Sequence, residues 1–124
     1  MTTTSKRLAL TTKRKGFLSR KEQHAVAEFH ALVKDAVGSN LQMIRLFGSK
    51  ARGDATRWSD IDLLVRVKHH SWQLEDRIID LASDVGLKYD VYISPRVIGE
   101  ATFKHPVWRI TPFLQAIQRE GIPV

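Results

Sequence analysis

The chain has 124 residues, 43% of them hydrophobic, which suits one domain with its own core, and it contains no cysteine, which excludes disulfides and thiolate metal sites. No apolar run is long enough to cross a bilayer, and the amino terminus lacks the apolar segment of a secretory signal, so the chain is expected in the cytoplasm. The formal net charge of +7 is gathered at one end, where Lys6, Arg7, Lys13, Arg14, Lys15 and Arg20 precede the first acid; the near-neutral remainder argues against a body that tracks nucleic acid.

Residues 1–17 are rich in Thr, Ser, Lys and Arg and are expected to form a disordered basic arm, with 18–124 forming a single domain. The arm is either a solubilising tail or a contact for nucleic-acid phosphates or an acidic partner. Ser19 and Glu22 have the spacing of a capping box. After them Ala25, Val26, Phe29, Leu32, Val33, Ala36 and Val37 recur at helical spacing, predicting an amphipathic helix over 20–37 closed by Gly38. His24 and His30 are expected on the surface.

Leu41 to Phe47 reads as a strand that delivers Gly48 and Ser49 at its carboxyl end, followed by a short helical turn at Lys50, Ala51 and Arg52. A glycine there lets the backbone approach a ligand closely, and the Ser49 hydroxyl with the free N–H groups of a helix start can hold a phosphate. The same residues also make an ordinary strand-to-helix turn, and they do not make a Walker loop. Residues 53–59 form a loop in which Trp58 either stacks on a base or covers the edge of the core.

Ile61 to Val67 reads as a second strand. Ile61, Leu63, Val65 and Val67 share one apolar face, and Asp60 and Asp62 fall together on the other. Two carboxylates so close repel each other unless a cation sits between them or water screens them, and a hard cation such as Mg²⁺ suits oxygen ligands. The alternative is a polar strand start with Ser59 and Asp60 as turn residues.

Ser71 is placed to cap a second helix, in which Leu74, Ile78, Leu81 and Val85 recur at helical spacing as far as Gly86. Leu87 to Ile93 alternates as a third strand with Asp90 in its middle. An acid there is costly to bury unpaired, though an edge strand would tolerate it. Pro95 is expected to end that strand, and 94–108 to be loop. Thr111 and Pro112 start a last helix over 111–119, closed by Gly121 and Pro123. The order of elements predicts an α/β (α+β) fold, a small mixed β-sheet with helices packed on one face and polar residues on the other. Its open face or edge also invites a homo-oligomer.

The run Gly48–Ser49, Ala51–Arg52–Gly53, Ser59–Asp60–Ile61–Asp62–Leu63 resembles the signature of the nucleotidyltransferase superfamily that includes DNA polymerase beta. It is most similar to the small, single-domain minimal nucleotidyltransferases, the MntA-like antitoxins, and the close at Glu120–Gly121 is similar too. Trp58 departs from the signature, where a small or polar residue is more typical. The resemblance implies a nucleotidyltransferase fold and transfer of a nucleoside monophosphate, AMP above all, from an NTP to an acceptor with release of pyrophosphate. It implies Asp60, Asp62 and Asp90 as catalytic and metal-binding residues holding two Mg²⁺ ions, with Gly48 and Ser49 holding the β- and γ-phosphates of the NTP and Lys50 and Arg52 either contacting phosphate or bracing the loop. It further implies a small all-helical HEPN-type toxin as partner and acceptor. A non-catalytic nucleotide-binding antitoxin that acts by complex formation is the alternative.

Overall fold

The structure, a computed structural model, describes residues 17–124. The basic arm expected over 1–17 lies outside the described residues except for Phe17, whose N–H donates to the Lys50 carbonyl at 2.9 Å.

Helix α1, Arg20–Val37, begins at the expected capping box: Ser19 Oγ accepts from the Glu22 N–H, and Glu22 Oε1 accepts from the Ser19 N–H. Its stripe of Ala25, Val26, Phe29 and Val33 is buried. Gly38, at φ 58°, ends it and opens a 3₁₀ turn, Gly38–Asn40. Strand β1, Leu41–Phe47, leads into the one-turn helix α2, Ser49–Arg52. Strand β2, Ile61–Val67, is followed by α3, Trp72–Tyr89, with Ser71 as its cap. Strand β3, Ile93–Gly99, and the short helices α4, Glu100–Phe103, and α5, Pro106–Arg109, come next. The last elements are α6, Pro112–Glu120, and a two-residue strand β4, Ile122–Pro123.

The sheet order is β3-β2-β1-β4, with β1 antiparallel to both β2 and β4 and with β2 parallel to β3. It is the mixed sheet that the sequence predicts. Ile61, Leu63, Val65 and Val67 face the main core with Ile44, Leu46 and Val97, beneath the long helices α1 and α3. Leu64 points the other way, into a smaller cluster with Ile98 and Ile117, against which Phe47, Phe103, Trp108 and Phe113 pack. The second face is therefore not simply polar: the carboxy-terminal segment covers part of it. Among the described residues no helix is long and apolar enough to cross a membrane.

Two boundaries differ from expectation, for physical reasons. The helical spacing Ile78, Ala82, Val85 continues to Tyr89, so α3 runs through Gly86 and occupies much of the stretch expected as a strand. Leu87, which the strand reading would bury, is 85% exposed. Gly86 is needed because the chain turns back over it: a Cβ there would stand 2.7 Å from the Val91 carbonyl oxygen. The left-handed residue that ends the helix is Asp90, at φ 55° and ψ 52°, and Asp tolerates that region better than most side chains. Pro95 does not end the third strand but lies within it, opposite Leu63. β3 is an edge strand, where a missing N–H can face solvent without breaking a ladder.

Candidate active site

Because β1 and β2 run antiparallel with Phe47 opposite Asp62, the carboxyl end of β1 meets the amino end of β2. The Gly-Ser turn and the acid pair thus share one corner of the sheet. Gly48 has φ 74° and ψ −157°, a conformation that side chains resist. A Cβ on Gly48 would also collide with Oδ2 of Asp62. Glycine is required here twice over, for its backbone and for the carboxylate lying against it. The Ala51 and Arg52 N–H groups both return to the Gly48 carbonyl at 3.1 Å, and no side chain caps the start of α2. Such a start leaves first-turn N–H groups open to an anion.

Asp62 is half-buried and Asp60 exposed. Burial pushes the Asp62 carboxyl above its ordinary range and the nearby Asp60 charge adds to this, while Arg96 and Arg52 pull it partway back. Among the described residues no three His, Cys, Asp or Glu side chains come together as a metal site. A pair of carboxylates nevertheless fits Mg²⁺, which is commonly held by one or two carboxylates together with substrate phosphates and water.

The expected site residues divide. Gly48, Ser49, Asp60 and Asp62 come together at the corner. Asp90 does not join them as a third metal ligand: it is the exposed left-handed residue at the end of α3, and its carbonyl accepts from Lys21 Nζ at 3.4 Å. Two ions held by all three acids would require Asp90 to come closer to the pair than it stands here. Lys50 takes the second of its two expected parts, bracing the loop. It is buried, paired with Glu22 at 2.7 Å and donating to the Thr56 carbonyl at 3.2 Å, so it ties α1 to the turn rather than facing a ligand. Burial raises the Glu22 carboxyl, but bonds from Lys50 and Ser19 outweigh this and hold it below its ordinary range. Arg52 lies partly in solvent, bonded to Asp54 at 3.2 Å and Glu120 at 3.5 Å. Those partners, Asp54 foremost, hold its proton more firmly. Arg96, whose charge acts on Asp62, has no place in the sequence reading because 94–108 was expected as loop; the alternation of Ile93 and Val97 with Ser94 and Arg96 is the signal that could have found it.

A mixed sheet with paired aspartates set against a Gly-Ser turn is the build of a nucleotide-transferring α/β domain. The sequence matches the family described as "Nucleotidyltransferase domain" over residues 27–115. It is 36% identical over 100 residues to a protein of Methanocaldococcus jannaschii named "Putative protein adenylyltransferase MJ0141", covering 80% of this chain and 94% of the relative. A second protein of that organism, "Putative protein adenylyltransferase MJ0604", is 38% identical over 86 residues, covering 69% and 82%. Among solved structures, one described as "Structure of putative minimal nucleotidyltransferase" aligns with TM-score 0.53 at 24% identity, covering 88% of this chain and 100% of that one. A chain described as "Crystal structure of the toxin-antitoxin with AMP-PNP" aligns with TM-score 0.54 at 20% identity, covering 77% and 69%. This chain belongs to the nucleotidyltransferase domain family, and it has that family's fold.

Proposed function

We propose that this protein transfers AMP from ATP to a hydroxyl group on a small all-helical HEPN-type partner, and that it acts as the antitoxin of a toxin–antitoxin pair in the cytoplasm. The observation that carries this is the contact of Gly48 with Asp62, which sets the Gly-Ser turn against a carboxylate whose charge is already costly. The relatives named as protein adenylyltransferases support transfer onto a protein. The likeness in fold to a chain of a toxin–antitoxin pair supports a toxin as the partner.

Phosphoryl-type transfer depends on positioning and charge stabilisation more than on covalent chemistry by the protein. Asp60 and Asp62 would hold Mg²⁺, which when bound neutralises charge on the phosphates. The Ser49 hydroxyl and the first N–H groups of α2 would orient the β- and γ-phosphates. Arg52, fastened by Asp54 and Glu120, braces the turn from behind. The acceptor oxygen forms a bond to the α-phosphorus. The bond from that phosphorus to the bridging oxygen breaks, pyrophosphate leaves with the electron pair, and the acceptor proton passes to solvent.

The test is incubation with Mg²⁺, the helical partner and ATP labelled at the α- or γ-phosphate. Label on the partner from α alone is the expected result. A tight complex that never takes label would favour a non-catalytic antitoxin acting by complex formation, for which exposed apolar side chains such as Leu87, Val107 and Ile110 are available.

A further inference from the structure

From Ser59, the residue before the acid pair, the surface opens into a cleft of about 420 Å³, bounded by the start of α1 with Glu22, the turn before β2, and Asp90 with the residues leading into β3. Two aromatic side chains line it and remain bare: Trp58 is 73% and Tyr92 71% exposed. Trp58 therefore does not cover the core. Its turn is nonetheless fixed. The Thr56 N–H donates to Ser59 Oγ at 3.0 Å, the Trp58 N–H to Thr56 Oγ1 at 3.2 Å, and the Ser59 N–H to the Thr56 carbonyl at 3.1 Å. The Arg57 guanidinium lies 4.7 Å from the centre of the Trp58 ring. Tyr92 is fixed as well, because its carbonyl accepts from the Ile61 N–H at 2.7 Å, between the two site aspartates.

We propose that this cleft is the nucleobase subsite of the NTP, with Trp58 and Tyr92 stacking on the base and Arg57 adding its charge to the Trp58 face. The proposal rests on the transferase reading above. Gly48 follows β1, Asp60 precedes and Asp62 lies in β2, and Tyr92 leads into β3, and these strands are successive neighbours in the sheet. Neighbouring strands lie about 4.8 Å apart, so β1 to β3 spans roughly 10 Å. A triphosphate that starts at the Gly-Ser turn and crosses the acid pair arrives at β3 with its nucleoside. There it meets two exposed π-faces and a stacked guanidinium, the surface chemistry that holds a planar base with little regard to its hydrogen-bonding edge. Purines, with the larger ring face, are favoured.

The experiment measures equilibrium binding of ATP and of inorganic tripolyphosphate, each with Mg²⁺, to the full chain by calorimetry. Trp58→Ala and Tyr92→Ala are each expected to weaken ATP binding about tenfold, leave tripolyphosphate binding unchanged, and keep the wild-type melting temperature, since both side chains are exposed. Trp58→Phe is expected to restore affinity while abolishing the tryptophan quenching that ATP causes in the wild type. Unchanged ATP affinity in the double alanine variant would overturn the subsite and leave the transferase standing. The same variant binding ATP normally but needing more partner for transfer would assign the cleft to the acceptor instead, and equally overturn it. A wild type that binds neither ligand would overturn the transferase reading itself.

Discussion

Asp62 shows how a single carboxyl can serve a site at a cost to the fold. Its pKa is raised, first by burial and then by Asp60. The folded chain thus binds this proton more tightly than the unfolded chain does. The sign follows by linkage: that contribution favours folding below the unfolded-chain pKa and is lost as pH rises through the folded one. At neutral pH an ionised Asp62 opposes folding, so Asp62→Asn is expected to melt higher than wild type at pH 7, to lose that advantage in acid, and to have no Mg²⁺-dependent transfer. Thermal melts at several pH values check this, and a lower melting temperature at pH 7 would make the carboxylate a structural necessity. Gly48→Ala should do the reverse. Its Cβ meets the Asp62 carboxylate at a backbone angle suited to glycine, so a loss of about 1–3 kcal/mol in denaturant titration and a loss of ATP affinity are expected together. Both residues stand out in the sequence, a glycine closing one apolar run and alternate acids opening the next, but an ordinary turn and a polar strand start read the same way, and only the fold brings Gly48 against Asp62. Lys50 is not legible in the same way. A lysine reads as solvated until the fold sets Glu22 beside it.

At the scale of elements, the start of α1 and the end of α3 rest on contrasting devices. The buried Lys50–Glu22 pair fastens the first turn of α1 to α2. Removing one partner leaves the other buried and unpaired, so Lys50→Met is expected to cost about 3–5 kcal/mol. Because the Glu22 carboxyl is held low, its contribution is present above the unfolded-chain pKa and is lost as pH falls through the folded one; the penalty of Lys50→Met should therefore shrink in acid. Denaturant titrations of both proteins at neutral and acid pH measure it. The end of α3 depends on Asp90 holding a left-handed backbone, which costs an L-residue roughly 1–2 kcal/mol. Asp90→Gly is expected to hold or raise the melting temperature and to keep transfer within about twofold. A drop of about 100-fold, the size of a lost acid–base group, would return Asp90 to the catalytic set. The helix itself is legible in its apolar spacing. Its end is not, because Leu87, Tyr89, Val91 and Ile93 alternate as a strand would, while Tyr89 also continues the helical stripe, and only the return of the chain over Gly86 decides between them.

Across the whole molecule, the site is held from both faces of the sheet. β2 presents Leu63 to the main core and Leu64 to the smaller cluster, both fully buried. The second cluster also reaches the Gly-Ser turn from behind. Phe113 of α6 meets Phe47 edge-on with ring centres 5.4 Å apart, Arg96 stacks on Phe113 at 4.8 Å, and Glu120 at the end of α6 holds Arg52. Phe47 immediately precedes Gly48, and Arg52 closes the helix that Ser49 begins. The extent of α6 is legible from Thr111 and Pro112, but the face it covers is not, since an amphipathic helix does not declare which side of a sheet it will take. Two substitutions separate bracing from mere stability. Ile117→Ala removes a buried side chain of the cluster and should cost about 2–4 kcal/mol. Phe113→Ala removes a half-buried ring and should cost about 2–3 kcal/mol, toward the lower end for such a truncation because the ring keeps contact with water. At a temperature where both variants are folded, Phe113→Ala is expected to weaken ATP binding severalfold more than Ile117→Ala, because the Phe113 ring meets that of Phe47, the residue before Gly48, edge-on. Equal ATP affinity in the two would mean that α6 stabilises the sheet without shaping the corner where the acids and the glycine meet.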